Sequence, residues 1–295
     1  MKNKIFGYLL ISILILYFIN FAPAGELDHY AKINNTVSLF YQDSGKGQVI
    51  LFIPGWTMSS EIFKYQIAYF SKKYRVIALD PRSQGRSTVT LNNNTYSQHG
   101  TDLANFIDHL KLHKIILVAW SWGCNDAYAY IRLKGIDNLK AFVCIDSSPK
   151  PSGNQHEWAI TDYSNWGAAV IQPFKNNRLQ FTRNWVQSVV DHKITSNQLN
   201  WIIGQSLMTP TFAATQLLLD AIYADYRPEV RLLNNHNIPT LDFVSKNSAN
   251  NAKQWLHTNA PNAEIEVINK HLMFWEHPEE FNRLLNAFIK QSVGS

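Results

Sequence analysis

Residues 114–123, Lys-Ile-Ile-Leu-Val-Ala-Trp-Ser-Trp-Gly, join a buried-strand pattern directly to the start of a helical one. The first part is a continuous apolar run, as expected for a strand covered on both faces. Residues 123–133 then follow a helical period. Ser121 therefore lies in a predicted strand–turn–helix unit, with the small residues Ala119 and Gly123 two positions away on either side. A turn this sharp needs small residues there, because their Cα atoms press on neighbouring backbone.

The alternation of buried strands with helices extends over most of the chain. Strand and helix patterns in this order predict an α/β protein with a mostly parallel, doubly wound sheet and right-handed crossovers. An irregular Trp- and Asn-rich region interrupts the alternation after residue 145. We interpret it as a helical cap inserted after the sixth strand, where the strand at 48–53 is counted as the third. The predicted core comprises residues 25–148 and 236–295, and the cap comprises residues 149–235. The predicted strands are 48–53, 75–79, 114–119, 140–145, 240–244 and 264–268, and the main helices are 62–70, 98–110, 123–133, 250–257 and 278–289.

The turn at Ser121 would present the serine hydroxyl at the carboxyl edge of the sheet, where open α/β sheets bind ligands. The Trp122 amide at the helix N-terminus would then face a developing oxyanion. A second amide donor is expected in the loop after the third strand, and we assign it to Trp56 of Pro54-Gly55-Trp56. A simple turn would also explain Pro54-Gly55, but the position of the loop after this strand favours the oxyanion role.

A serine nucleophile also needs a general base, which follows it in the chain order serine, acid, histidine. Among ten histidines, His271 stands out because it lies in the loop directly after the last predicted strand. His277 is the competitor, but it immediately precedes Pro278 and the last helix, which is typical of a surface turn. We therefore predict that His271 is the base.

The chain from about residue 35 onward resembles the α/β-hydrolase superfamily, most closely its cofactor-free haloperoxidase, perhydrolase and arylesterase group. The resemblance implies a Ser/acid/His triad, hydrolysis of ester-like bonds in a small-molecule substrate, and no cofactor or metal. The chain departs from the family pattern at four positions. Pro54 replaces the usual histidine and Lys270 the usual small residue, and Ser245 and Ser248 replace a glycine and the triad aspartate. The segments that carry the resemblance are 54–56, 80–87, 119–123, 145–148, 238–241 and 271–279.

The missing acid after the seventh strand must come from elsewhere, because Ser248 cannot supply a charge. Asp242 lies well inside its strand, on the order of 10 Å below the catalytic edge at ~3.3 Å per residue. Asp80 ends a strand, but on the far side of the nucleophile strand from the histidine loop. Asp146 ends the strand beside the nucleophile strand, toward the histidine, and we predict that it completes the triad.

Four apolar residues near these positions are predicted to line a pocket under the cap: Met58, Trp120, Phe274 and Trp275. Core filling is the competing interpretation of such side chains. Two other functions stay open beside ester hydrolysis. Peroxide could replace water in the same acyl-enzyme reaction, or the chain could be a non-catalytic binding protein that keeps the fold.

Composition limits the other classes of function. The 295-residue chain has 27 basic and 22 acidic residues and no basic run longer than two, which gives no support to nucleic-acid binding. Two cysteines exclude a disulfide scaffold and a Cys-rich metal site. The sequence does not indicate an oligomeric state.

The first 24 residues resemble a targeting segment. Lys2 and Lys4 precede an apolar run from Ile5 to Phe21, and the next residues, 22–24, are Ala-Pro-Ala, a site of the type that signal peptidase cuts. We expect an exported protein, periplasmic or extracellular. An uncleaved N-terminal anchor remains the alternative, and it would be the chain's only contact with a membrane.

Overall fold

A computed structural model of the chain describes residues 27–153, 158–159, 170–191 and 194–294. The predicted targeting segment lies outside these residues, as do parts of the predicted cap. Within the described ranges, we find no helix with the length and apolar character that crossing a bilayer requires.

An eight-stranded sheet forms the centre of the described chain, in the order β1-β2-β4-β3-β5-β6-β7-β8. β1 pairs with β2, and β2 with β4, in antiparallel fashion, whereas the pairs from β4 to β8 are parallel. All five residues of β3 and all six of β5 are buried, because helices cover both faces there. The strands are β1 Asp28–Lys32, β2 Ser38–Ser44, β3 Val49–Ile53, β4 Arg75–Leu79, β5 Ile115–Trp120, β6 Leu139–Ile145, β7 Thr240–Ser245 and β8 Glu264–Ile268.

Helices pack on both faces of this sheet, which gives the predicted doubly wound arrangement. α1 and α11 pack against each other on one face, and α2 and α3 on the other. Alternate residues of β5 enter the two cores, with Leu117 on the α2–α3 side and Val118 on the α1–α11 side. A 3-10 helix at Ser60–Phe63 is followed by α1 Lys64–Phe70, α2 Tyr96–His109, α3 Gly123–Lys134, α4 Gln172–Asn176, α5 Arg178–Val189, α6 Ser196–Leu207, α7 Thr211–Ile222, α8 Arg227–Asn235, α9 Ala249–Asn259, α10 Met273–Glu276 and α11 Pro278–Val293.

The helices α4 to α8 lie between β6 and β7, at the predicted position of the cap. α6 and α7 are tied to the loop after β3: the Trp56 indole N–H donates to the Ala214 carbonyl at 3.0 Å, and the Thr57 and Ser206 hydroxyls lie 2.7 Å apart. α8 instead packs on α3, so this last helix belongs to the layer of α2 and α3. α6 and α7 are thereby anchored beside the carboxyl edge of the sheet.

Candidate active site

Ser121 occupies a strained turn between β5 and α3. Its backbone φ is +53°, in the left-handed region that a non-glycine residue rarely adopts. The Ser121 N–H donates to the Ile145 carbonyl at 2.8 Å, which fixes the turn to the end of β6. A Cβ on Gly123 would lie 2.4 Å from the Pro54 carbonyl oxygen, so only glycine fits there. These features match the predicted elbow.

The imidazole of His271 faces the carboxylate of Asp146. Its Nδ1 lies 2.7 Å from Asp146 Oδ2, which leaves Nε2 as the other ring nitrogen. The Trp120 indole N–H donates to the His271 carbonyl at 3.0 Å, and the two rings are in tilted contact with centroids 5.2 Å apart. The loop between β8 and α10 is therefore held against the elbow strand.

Asp146 itself is held at the end of β6 by several hydrogen bonds. Its φ is +49°, and its N–H donates to the Phe243 carbonyl at 2.7 Å. Oδ1 accepts from the Ser245 N–H at 2.7 Å and from the Ser248 hydroxyl at 3.2 Å. Burial raises the pKa of the carboxyl, but hydrogen bonds from His271 and Ser245 and the charge of His271 outweigh burial, so the pKa lies below its ordinary value. Asp146 is thus kept ionised.

The two rejected acids lie elsewhere. Asp242 is buried within β7, paired in register with Cys144, and burial raises its pKa to about 7. Asp80 accepts hydrogen bonds from the Ser60 and Arg86 amides, and burial raises its pKa to about 6 despite those bonds. Neither borders the cavity that contains Ser121 and His271.

Ser121, Asp146 and His271 all line one cavity of about 480 Å³. Four tryptophans line it, and most of the polar lining consists of serine and asparagine side chains. Its lining comprises Trp56, Ser121, Trp122, Asp146, Ser147, Ser148, Trp158, Ala159, Trp185, Ser188, Val189, Ser245, Asn247, Ser248, Asn251, Lys270 and His271.

The four apolar residues that are predicted to line the pocket do not line it. Met58, Trp120, Phe274 and Trp275 are buried in the core on the α1–α11 side and do not border the cavity. Trp120, for example, packs edge-on against Phe274 with ring centroids 5.1 Å apart. The prediction that they line the pocket is wrong because proximity in sequence to Ser121 and His271 does not fix which way a side chain points. The aromatic lining instead includes Trp158 and Trp185 of the predicted cap, which sequence reasoning left out.

Both predicted oxyanion residues border the cavity. The rings of Trp56 and Trp122 are in tilted contact, with centroids 5.5 Å apart. An added Cβ on Gly55 would lie 2.9 Å from Ser121 Cβ, so the loop after β3 passes directly beside the serine. In the described part of the chain, no group of three or more His, Cys, Asp or Glu side chains is placed to hold a metal ion.

The fold and the site define an α/β protein with a serine elbow and a His–Asp pair at the carboxyl edge of its sheet. Residues 48–278 match the protein family described as "alpha/beta hydrolase fold", so the chain belongs to this family. The predicted resemblance and fold class are confirmed.

Relatives of this chain include hydrolases and peroxidases. It is 24% identical over 272 residues to the AB hydrolase superfamily protein YisY of Bacillus subtilis, covering 89% of this chain and 99% of that protein. It is 29% identical over 123 residues to the bifunctional esterase/perhydrolase DCH of Acinetobacter calcoaceticus, covering 41% of this chain and 45% of that protein. The crystal structure of bromoperoxidase from Bacillus anthracis aligns with a TM-score of 0.79 at 24% identity, and the alignment covers 89% of this chain and 99% of that one. That structural likeness shows the shared fold.

Proposed function

We propose that this protein is a serine hydrolase that cleaves carboxylic-ester-like bonds through an acyl-enzyme intermediate. The observation that carries the proposal is the 2.7 Å contact of His271 Nδ1 with Asp146, on the same cavity as the strained turn of Ser121. A histidine oriented by a carboxylate, on the same cavity as a serine, is the arrangement that activates a hydroxyl nucleophile. Relatives that are named as esterases are consistent with this chemistry.

The reaction begins with attack of Ser121 Oγ on the acyl carbon of the ester. Because His271 Nδ1 faces Asp146, Nε2 is the nitrogen that takes the serine proton. The tetrahedral intermediate then collapses, the bond from carbon to the alcohol oxygen breaks, and the alcohol leaves with the proton from Nε2. The Asp146 carboxylate stabilises the transient imidazolium and fixes the tautomer.

The negative charge on the intermediate needs donors, and we assign them to the backbone amides of Trp56 and Trp122. Trp122 is the N-cap residue of α3, where the helix dipole favours an anion. Trp56 follows Gly55 in the loop that passes beside Ser121. Water then attacks the acyl-enzyme, His271 takes its proton, and the carboxylic acid is released as Ser121 regains its hydrogen.

A fluorophosphonate activity probe tests the proposal, since it labels only an activated serine. We expect labelling of the wild-type protein and none of Ser121→Ala. Ser97→Ala is the matched control, because Ser97 lies on the exposed face of α2, and it should label like the wild type. A panel of p-nitrophenyl esters of increasing acyl length then measures turnover. Well-folded protein that neither labels nor hydrolyses any ester would instead favour a binding protein.

Perhydrolysis is a second candidate, favoured by the relative named as a bifunctional esterase/perhydrolase. Hydrogen peroxide would replace water in attacking the acyl-enzyme and would release a peroxy acid instead of a carboxylic acid. Peroxy acid formed from an ester and hydrogen peroxide measures this activity directly, and it should disappear in Ser121→Ala together with ester hydrolysis.

A further inference from the structure

Lys270 places a positive charge at the cavity, immediately before His271. It lines the cavity although the resemblance leads one to expect a small residue at this position. Within the described residues its ammonium group forms no ion pair and no hydrogen bond. A lysine at this place is therefore available to a ligand.

Two acids are relevant to the charge of Lys270, namely Asp146 and Glu276. Asp146 is the only carboxylate among the described cavity residues, and it bonds to His271, Ser245 and Ser248. Glu276 does not line the cavity: its Oε1 accepts from the Asp191 amide, its Oε2 has no hydrogen-bond partner among the described residues, and burial raises its pKa to about 7 although the charge of Lys270 lowers it. Within the described residues, no carboxylate that lines the cavity forms an ion pair with Lys270.

Neutral donors accompany the lysine. Asn247 and Asn251 lie at the start of α9, after β7, and Lys270 follows β8, the next strand of the sheet. All three line the cavity, and the two asparagine amides have no side-chain hydrogen bond within the described residues. These donors follow β7 and β8, whereas Ser121 follows β5, so they come from strands on the His271 side of the sheet.

We propose that Lys270, with the Asn247 and Asn251 amides, binds a carboxylate on the substrate, so that the preferred substrates are monoesters of dicarboxylic acids. The proposal rests on the ester hydrolysis proposed above and names its substrate class. A carboxylate suits one ammonium and two amide N–H donors, because charge-assisted hydrogen bonds are stronger than neutral ones. The ester carbonyl at the other end of the same molecule would reach Ser121.

The kinetic experiment compares monoethyl and diethyl esters of succinate, glutarate and adipate, with ethanol release as the readout. The wild type should prefer the monoethyl esters in kcat/KM, with an optimum at one chain length. Lys270→Met should lower the ratio of monoethyl to diethyl kcat/KM by about tenfold or more, and Lys270→Arg should retain part of it. Lys253→Met, which removes the same charge from the exposed surface of α9, should leave the ratio unchanged.

A binding experiment separates this inference from the proposed function. Monoethyl glutarate is titrated into Ser121→Ala, with and without Lys270→Met, and followed by tryptophan fluorescence because four tryptophans line the cavity. Lys270-dependent binding without turnover of any ester by the wild type would support the anion site and overturn the hydrolase. Two results would overturn the anion site and leave the hydrolase intact. One is ester turnover in which Lys270→Met does not change the ratio of monoethyl to diethyl kcat/KM, and the other is a wild type that prefers diethyl esters.

Discussion

His271 Nδ1 and Asp146 Oδ2 lie 2.7 Å apart, although the two residues are 125 positions apart in the chain. The contact arises because β6 ends at Ile145 and β8 ends at Ile268, with only β7 between them in the sheet. β7 contributes the support: the Ser245 amide and the Ser248 hydroxyl both donate to the other carboxylate oxygen. The serine at the family's usual acid position thus becomes a donor to an acid supplied by the neighbouring strand.

Replacement of this acid should remove most of the proposed activity. Asp146→Asn keeps the shape of the side chain but presents an amide that favours the wrong imidazole tautomer, so we expect kcat to fall by up to roughly 10⁴ with the fold retained. Ester turnover and circular dichroism of the purified variant measure the two effects. Asp242→Asn and Asp80→Asn are controls for the other candidate acids and should lower kcat far less. Near wild-type turnover of Asp146→Asn, with loss in either control, would show that the acid is misassigned.

Much of this site could be predicted from sequence because its residues follow strands of one parallel sheet. Apolar runs identify β3 to β8, and the ends of parallel strands meet at one edge, so the positions of Ser121, Asp146 and His271 follow from strand order. β1 lacks such a run, since four of its five residues are exposed. The apolar-run criterion therefore does not locate this antiparallel edge strand, and it does not locate β2.

The cap could be predicted only in outline. α6 has a capping box, in which Thr195 and Gln198 each bond the other's backbone, and that sequence signal could have identified its start. The cavity lining was less accessible to prediction. Trp185 borders the cavity whereas Trp275 is buried against Tyr65 and Trp201, a difference set by three-dimensional packing that tryptophan content alone does not reveal.

The closing helix should contribute strongly to stability. Phe281, Leu285 and Phe288 of α11 are buried on the sheet, and Leu285 is fully inaccessible to solvent. Leu285→Ala should therefore lower the free energy of unfolding by about 2–5 kcal/mol. Arg283→Ala, on the exposed face of the same helix, should change it by less than about 0.5 kcal/mol. Urea denaturation measures both, and equal effects would contradict the packing.

Stability should also depend on the buried carboxyl of Asp242. Burial raises its pKa to about 7 in the folded protein, above the unfolded value, so the unfolded chain loses this proton first as pH rises. Between about pH 4 and 7 the unfolded state binds fewer protons, and this residue makes stability fall with rising pH. Asp242→Asn should remove that pH dependence, and at pH 8 its free energy of unfolding should exceed that of the wild type by up to about 4 kcal/mol. Asp137→Asn, on the exposed surface, is the control and should leave the pH dependence of the free energy of unfolding nearly unchanged.

Export of the protein remains a proposal from its first 24 residues. We expect cleavage after Ala24, so that the mature chain begins at Gly25. N-terminal sequencing of protein from the exported fraction measures this directly. A chain that retains Met1 would identify the segment as an anchor instead.

The last prediction concerns Ser248, whose hydroxyl lies 3.2 Å from Asp146 Oδ1. An acid placed at this position would stand next to the present one and close to the same imidazole. In an Asp146→Asn background, Ser248→Asp should therefore restore part of the lost kcat, because a carboxylate again stabilises the imidazolium. In the wild-type background the same substitution puts two carboxylates side by side. Their repulsion should raise the pKa of one of them, so that activity at the acidic end of the pH profile falls. Ser248→Asn, which adds similar bulk without charge, is the control and should give no rescue. Equal turnover of the Asp146→Asn/Ser248→Asp and Asp146→Asn/Ser248→Asn proteins would show that an acid at position 248, after β7, cannot reach His271.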